Sequence, residues 1–202
     1  MHNSFSIRLK CVQCLRPQTH CLCAYVANIA NRTHVLVLQH PNEHKHPLNT
    51  ARLAVQGLKN AELLIGEQFT DLISRLHSVD KAFLLFPAQS HHTVQALAPL
   101  PVDSTSLLIV PDGTWRNVRK IIQLNPVLDT LPRLTLPLGE PSLYRIRKTK
   151  QTGAVSTIEA IARALTCLEP EHDYAPLLTP FHIMVEQQIE AMGAEVYARN
   201  HK

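Results

Sequence analysis

Ser106-Leu107-Leu108-Ile109-Val110-Pro111-Asp112-Gly113-Thr114-Trp115-Arg116-Asn117-Val118-Arg119-Lys120-Ile121-Ile122-Gln123-Leu124 decides the fold. Ser106–Val110 is a short, continuous apolar run, which predicts a strand buried on both faces. Pro111-Asp112-Gly113 stops it in a turn. From Thr114 to Leu124 the period changes. Trp115, Val118, Ile121 and Ile122 fall on one side of a helix, and Arg116, Arg119 and Lys120 on another. A buried strand that feeds an amphipathic helix is the building unit of an α/β fold.

The same alternation extends in both directions. Strands are expected at His34–Gln39, Ala61–Ile65, Ala82–Phe86 and Arg133–Leu136. Asn49-Thr50 caps a helix carrying Leu53, Ala54 and Leu58, and Asp71–His77 reads as a short helix. Ser156–Leu168 and Phe181–Tyr197 are helical by the spacing of their apolar residues. The expected architecture is a mostly parallel sheet flanked by helices on both faces. Ligands of such sheets bind beyond the carboxyl ends of the strands. Phe86-Pro87, Pro111–Trp115 and Leu136–Pro141 should therefore meet at one edge. The proline-rich stretches 98–102 and 131–141 read as loops rather than linkers.

A chain of 202 residues, 45% hydrophobic and 18% charged, is long and apolar enough for one globular core. Its apolar runs are too short to span a bilayer, and residues 1–10 lack the apolar stretch of a signal peptide. A cytoplasmic location is expected. The six glycines are never closer than nine positions, so neither GxGxxG nor GxxxxGK[ST] occurs. That excludes the Rossmann fingerprint and the Walker A loop. The net charge of +4 is unevenly spread: residues 1–42 sum to +4, 43–103 to −1, 104–158 to +5 and 159–202 to −4. This polarity points to a polyanionic partner on one side of the molecule, against the plainer reading of a lopsided surface.

Four of the five cysteines, Cys11, Cys14, Cys21 and Cys23, lie within thirteen residues as C-x2-C-x6-C-x-C. In a cytosolic protein such clustering points to a metal, and four thiolates suit a tetrahedral structural zinc. His20 is an alternative ligand, an iron–sulfur cluster an alternative occupant, and a redox pair or unligated thiols the alternative without metal. Cys167 falls in a helical apolar pattern and belongs to the core. The organisation expected is a zinc knuckle over residues 1–30 and a catalytic α/β domain over 31–202.

Three further clusters could carry chemistry. Asp112 stands between a strand end and a helix start, where it is either a functional carboxylate or, with Thr114, a cap. Tyr144-Arg145-Ile146-Arg147-Lys148-Thr149-Lys150 places four cations and an aromatic together, which suits phosphate contacts and base stacking as well as a solvated loop. It leads to Ser156-x-x-Glu159, a capping box whose helix start also suits an anion. Gln39-His40-Pro41 with Asn49-Thr50-Ala51-Arg52 forms the third cluster. His40, Glu43 and His46 there have no diagnostic metal spacing.

Together these segments resemble the DTW domain family, named for Asp-x-Thr-Trp, here Asp112, Thr114 and Trp115. The resemblance includes the cysteine knuckle, Leu38-Gln39-His40-Pro41, Asn49-Thr50-Ala51-Arg52, Leu85-Phe86-Pro87, Tyr144-x-x-Arg147-Lys148 and Ser156-Thr157-x-Glu159-Ala160, over about nine tenths of the chain. It implies a tRNA-uridine aminocarboxypropyltransferase. Such enzymes place the 3-amino-3-carboxypropyl group of S-adenosylmethionine on a uridine imide nitrogen, in bacterial tRNA usually in the variable loop. It implies a SPOUT-like fold with a C-terminal knot. Asp112, Thr114 and Trp115 are then the catalytic residues, with Asp112 as base or as a ligand of the cofactor's ammonium. Phe86, Pro87, Asp112, Leu138, Gly139, Ser156 and Thr157 would cradle the cofactor. Arg52, Arg116, Arg119, Tyr144, Arg147 and Lys148 would hold tRNA. Cys11, Cys14, Cys21 and Cys23 would hold zinc. A SPOUT-type RNA methyltransferase and a non-catalytic zinc-containing RNA-binding module are the rival readings. A monomer is expected, with a dimer through the apolar face of the final helix as the alternative.

Overall fold

The computed structural model describes residues 9–46, 48–136, 142 and 155–193. Six strands form one sheet: β1 (His34–Gln39), β2 (Ala61–Ile65), β3 (Lys81–Leu85), β4 (Val94–Gln95), β5 (Ser106–Asp112) and β6 (Arg133–Leu134). Their spatial order is β2-β1-β5-β3-β6-β4, and every pairing is parallel. The helices are α1 (Pro41–His44), α2 (Thr50–Gly57), α3 (Leu72–His77), α4 (Trp115–Leu124), α5 (Thr157–Leu168) and α6 (Thr179–Met192).

The period of two along each strand sorts the core into two layers. Val35, Val37, Leu108 and Val110 pack with Ala54 of α2, Ile158 and Leu165 of α5 and Phe181 of α6. Leu36, Leu38, Leu107 and Ile109 pack with Leu72 of α3 and Val118 and Ile121 of α4. Ile109 is wholly buried, and truncating such a residue to alanine costs about 2–5 kcal/mol. Packing is close at one helix end: a Cβ on Gly57 would stand 2.6 Å from Leu177 Cδ1, which would have to shift.

The connections create a crevice. From β1 the chain passes through α2 to β2 on one side, and from β5 through α4 to β6 on the other. β1 and β5 are neighbours, so their connections part at the carboxyl end of their shared border. That is a topological switch point, where open α/β sheets bind ligands.

The opposite end of the sheet is closed. Glu169, wholly buried, accepts the Arg32 N–H at 2.9 Å, the Thr33 N–H at 2.6 Å and the Tyr174 hydroxyl at 2.7 Å. Burial pushes this carboxyl up, but the donors at Arg32, Thr33 and Tyr174 outweigh it and hold Glu169 below the usual range. Arg32 Nε also donates to Glu171 at 2.9 Å, and Ser106 Oγ to Thr33 Oγ1 at 3.0 Å.

The expected elements recur with shifted ends. β3 spans Lys81–Leu85 rather than 82–86, and β6 stops at Leu134. β5 continues past Val110 through Pro111 to Asp112, because Leu38 and Gln39 of β1 extend alongside it. α6 begins two residues earlier than Phe181 and ends at Met192, capped by Gly193 at φ 80°. Residues 194–197 of the expected helix lie outside the described residues, as do residues 137–141 and 143–154, and the described residues do not test the expected C-terminal knot.

Candidate active site

Register brings the site together. Gln39 pairs with Asp112 across β1 and β5, so both side chains emerge on the same face, toward the start of α5. Gln39 Nε2 donates to Asp112 Oδ2 at 2.8 Å, and the Thr157 hydroxyl donates to Asp112 Oδ1. The His40 N–H donates to the Asp112 carbonyl at 2.9 Å, which ties the two strand ends. Asp112 therefore has each carboxylate oxygen oriented by a neutral donor. It forms no ion pair among the described residues. Gln39 is wholly buried, and its Oε1 has no partner among the described residues.

Ser156 caps α5 in the expected capping box. Its hydroxyl accepts the Glu159 N–H at 3.4 Å, and Glu159 Oε2 accepts the Ser156 N–H at 2.8 Å. The Ser142 hydroxyl donates to the same carboxylate at 2.6 Å. Thr157, one residue on, is thereby left to face Asp112.

The other face of the same edge is different in character. Thr114 caps α4, its hydroxyl accepting the Asn117 N–H at 3.3 Å. Gly113 lets the turn close, since a Cβ there would stand 3.2 Å from Asn117 Cβ and 3.3 Å from His40 Cβ. Trp115, 39% exposed, meets Phe86 at 5.4 Å between ring centroids. The Arg133 guanidinium lies 6.0 Å from the centre of the Phe86 ring. Trp115 borders a groove of about 800 Å³ with His40, Glu67, Arg116, Arg119 and Lys120. At its floor His40 Nε2 lies 2.8 Å from Glu67 Oε1, and Lys120 pairs with the same carboxylate at 2.7 Å. The Lys120 ammonium, with His40, holds Glu67 below the usual carboxylate range, outweighing burial. Asp112 and Trp115, three positions apart, thus serve opposite faces of one sheet edge.

The cysteines converge. Leu15 takes φ 58°, uncommon for a residue with a side chain, and turns the chain so that its N–H donates to the Cys11 carbonyl at 2.9 Å. Cys11 and Cys23 sulfurs lie 3.6 Å apart, Cys14 and Cys21 sulfurs 3.8 Å, and all four within 4.8 Å. Four sulfurs each about 2.3 Å from a zinc ion stand about 3.8 Å apart, so the cluster fits that metal. Backbone N–H groups at Cys14 and Gln13 draw the Cys11 thiol down to about 6, whereas burial and the neighbouring thiols push Cys23 up. His20 is not among the four; its ring meets the Thr19 hydroxyl at 2.9 Å. Cys14 and Leu22 belong to the main core, and Arg16 donates to Gln187 of α6 at 3.1 Å, so the knuckle is packed on the sheet's α6 side.

Several expected residues fall elsewhere. Arg52 donates to His44 Nδ1 at 2.9 Å; it does not line the groove of Arg116 and Arg119. His40, Glu43 and His46 form no metal-holding group among the described residues. Leu138, Gly139, Tyr144, Arg147 and Lys148 lie outside the described residues. Gln39 was part of the motif without a role of its own. Its signal was a polar side chain ending an otherwise apolar strand.

The DTW domain pattern matches residues 8–189. The chain belongs to the DTW domain family. Among its relatives, tRNA-uridine aminocarboxypropyltransferase 2 of Drosophila melanogaster is 28% identical over 198 residues, covering 93% of this chain and 78% of that protein. The Mus musculus protein of the same name is 27% identical over 94% of this chain, which spans 66% of the mouse protein's length. tRNA-uridine aminocarboxypropyltransferase A of Arabidopsis thaliana is 26% identical, covering 80% of this chain and 73% of that protein. No solved structure matches the chain. No helix among the described residues is long and apolar enough to cross a membrane.

Proposed function

We propose that this protein modifies uridine in tRNA by transferring the 3-amino-3-carboxypropyl group of S-adenosylmethionine to the imide nitrogen, in the variable loop. The observation that carries the reading is Asp112. The aspartate of the family motif stands at the switch point with both oxygens oriented, by Gln39 and Thr157, and no cation among the described residues paired to it.

S-adenosylmethionine supplies an electrophilic carbon bonded to a sulfonium, with a neutral thioether, methylthioadenosine, as leaving group. Asp112 takes the proton of the uridine imide, a weak acid, and so makes the nitrogen nucleophilic. The new bond joins that nitrogen to the side-chain carbon next to sulfur, and the carbon–sulfur pair of electrons returns to sulfur. Gln39 and Thr157 each occupy one lone pair of the carboxylate, which leaves acceptor capacity for the proton. Phe86, Pro87, Ser156 and Thr157, with Leu138 and Gly139, form the cofactor cradle in this reading. Trp115 offers its face to a base, and Arg116 and Arg119, with Tyr144, Arg147 and Lys148, take phosphates. Four thiolates hold one zinc ion that braces the knuckle.

Nucleoside analysis of tRNA treated with the purified protein and S-adenosylmethionine tests the reading. A uridine carrying the aminocarboxypropyl group is expected. A methylated nucleoside would move the assignment to a methyltransferase, and unmodified tRNA to a binding module.

A further inference from the structure

Two polar features at the switch point are incomplete. Gln39 Oε1 is buried without a partner among the described residues. A buried carbonyl in that state destabilises the free protein. The amide is not free to turn over, because its Nε2 donates to Asp112 Oδ2, and a carboxylate can only accept. Oε1 is thus held as an acceptor within about 5 Å of that oxygen by the dimensions of the amide. The second feature is the charge of Asp112. It receives only neutral donors, and no cation among the described residues pairs with it. Among the described residues, Lys120 and His40 at this edge are engaged by Glu67 on the other face. A half-buried carboxylate beside an unfilled carbonyl attracts a ligand that is both cationic and a hydrogen-bond donor.

We propose that Gln39 Oε1 receives the α-ammonium group of S-adenosylmethionine, an inference that rests on the reading above. An ammonium matches both features: it brings N–H donors for the carbonyl and a positive charge for the field of Asp112. A uracil imide does not match as well. Its single proton, if held by Gln39, would be held away from the base that must remove it. Anchoring the amino group on Gln39 also sets what is presented for attack. The carbon next to sulfur is two bonds from the carbon bearing the amino group, so an anchored ammonium restricts that carbon to the neighbourhood of Gln39 and Asp112. The methyl group has no such tether. Gln39 therefore selects the transferred group as well as binding the co-substrate.

The test compares two ligands on the full chain by calorimetry. S-adenosylmethionine carries the amino group; methylthioadenosine has the same nucleoside and lacks it. Gln39→Leu removes the acceptor and is expected to weaken S-adenosylmethionine by about ten- to a hundredfold while leaving methylthioadenosine unchanged. Gln39→Glu, which keeps acceptor oxygens, is expected to retain the preference for S-adenosylmethionine. Equal loss of both ligands in Gln39→Leu, or no change in the preference between them, overturns the proposal. Wild-type protein that binds neither ligand overturns the reading beneath it, a distinct outcome.

Discussion

Glu169 at one end of the sheet and Asp112 at the other are treated in opposite ways. At the amino end Glu169 is wholly buried and accepts two backbone N–H groups and a tyrosine hydroxyl, all within 2.9 Å. At the carboxyl end Asp112 accepts two neutral side-chain donors, and the amide that donates one of them is itself left with an unfilled carbonyl. The first arrangement is complete without a ligand. The second is not. Polar groups that cost stability in the free protein are expected where a ligand completes them. Both ends lie on the same face of the same sheet, so the contrast comes from topology rather than from burial alone. Connections part only at the carboxyl end of the β1–β5 border.

This contrast is broken most directly by exchanging effects between the ends. Asp112→Asn is expected to lower transfer to tRNA by about 10²–10⁴-fold through loss of the proton acceptor, with the thermal midpoint little changed. A large loss of stability with retained turnover would make Asp112 a second structural carboxylate. Glu169→Gln should do the reverse. Loss of its charge-assisted bonds is expected to cost about 1.5–3 kcal/mol in denaturant unfolding, with transfer per folded molecule unchanged. The pH dependence carries a sign. Glu169 titrates lower in the folded than in the unfolded protein, so its contribution is present above the unfolded value, near 4.5. It is lost as pH falls through the folded value. The stability difference between wild type and Glu169→Gln should therefore shrink on acidification below about pH 4.5.

Smaller effects sharpen the picture of the groove. Trp115→Ala is expected to weaken tRNA binding roughly tenfold by loss of a stacking surface. Because Trp115 is the chain's single tryptophan, its fluorescence reports tRNA binding in the wild type without labels. Arg116→Ala and Arg119→Ala should each reduce the slope of log affinity against log salt by about one. An unchanged slope would show that the phosphates run elsewhere on the molecule.

Much of this architecture was legible in the sequence for identifiable reasons. His34–Gln39 and Ala61–Ile65 stand at their expected bounds because each apolar run is closed at both ends by polar or turn residues. The capping box at Ser156 and the cap at Thr114 are local, and both occur as written in the chain. What escaped depends on distant partners. The continuation of β5 through Pro111 to Asp112 requires β1 beside it. β4 is two exposed residues on a sheet edge, too short to show a period. The meeting of Gln39 with Asp112, seventy-three positions apart, is a matter of register, and register is not visible before the strands are ordered. The resemblance groups Arg52 with Arg116 and Arg119. Packing sends it instead to His44 beside the knuckle.

In the proposed reaction the open end of the sheet transfers the amino-acid tail of S-adenosylmethionine to tRNA. A double-label assay tests it most directly, with one sample labelled in the methyl group and another in the carboxyl group, each mixed with unmodified tRNA. Carboxyl label is expected in tRNA, and methyl label in methylthioadenosine. Methyl label in tRNA would mean a methyltransferase, and carboxyl transfer that survives undiminished in Asp112→Asn would mean that Asp112 is not the proton acceptor.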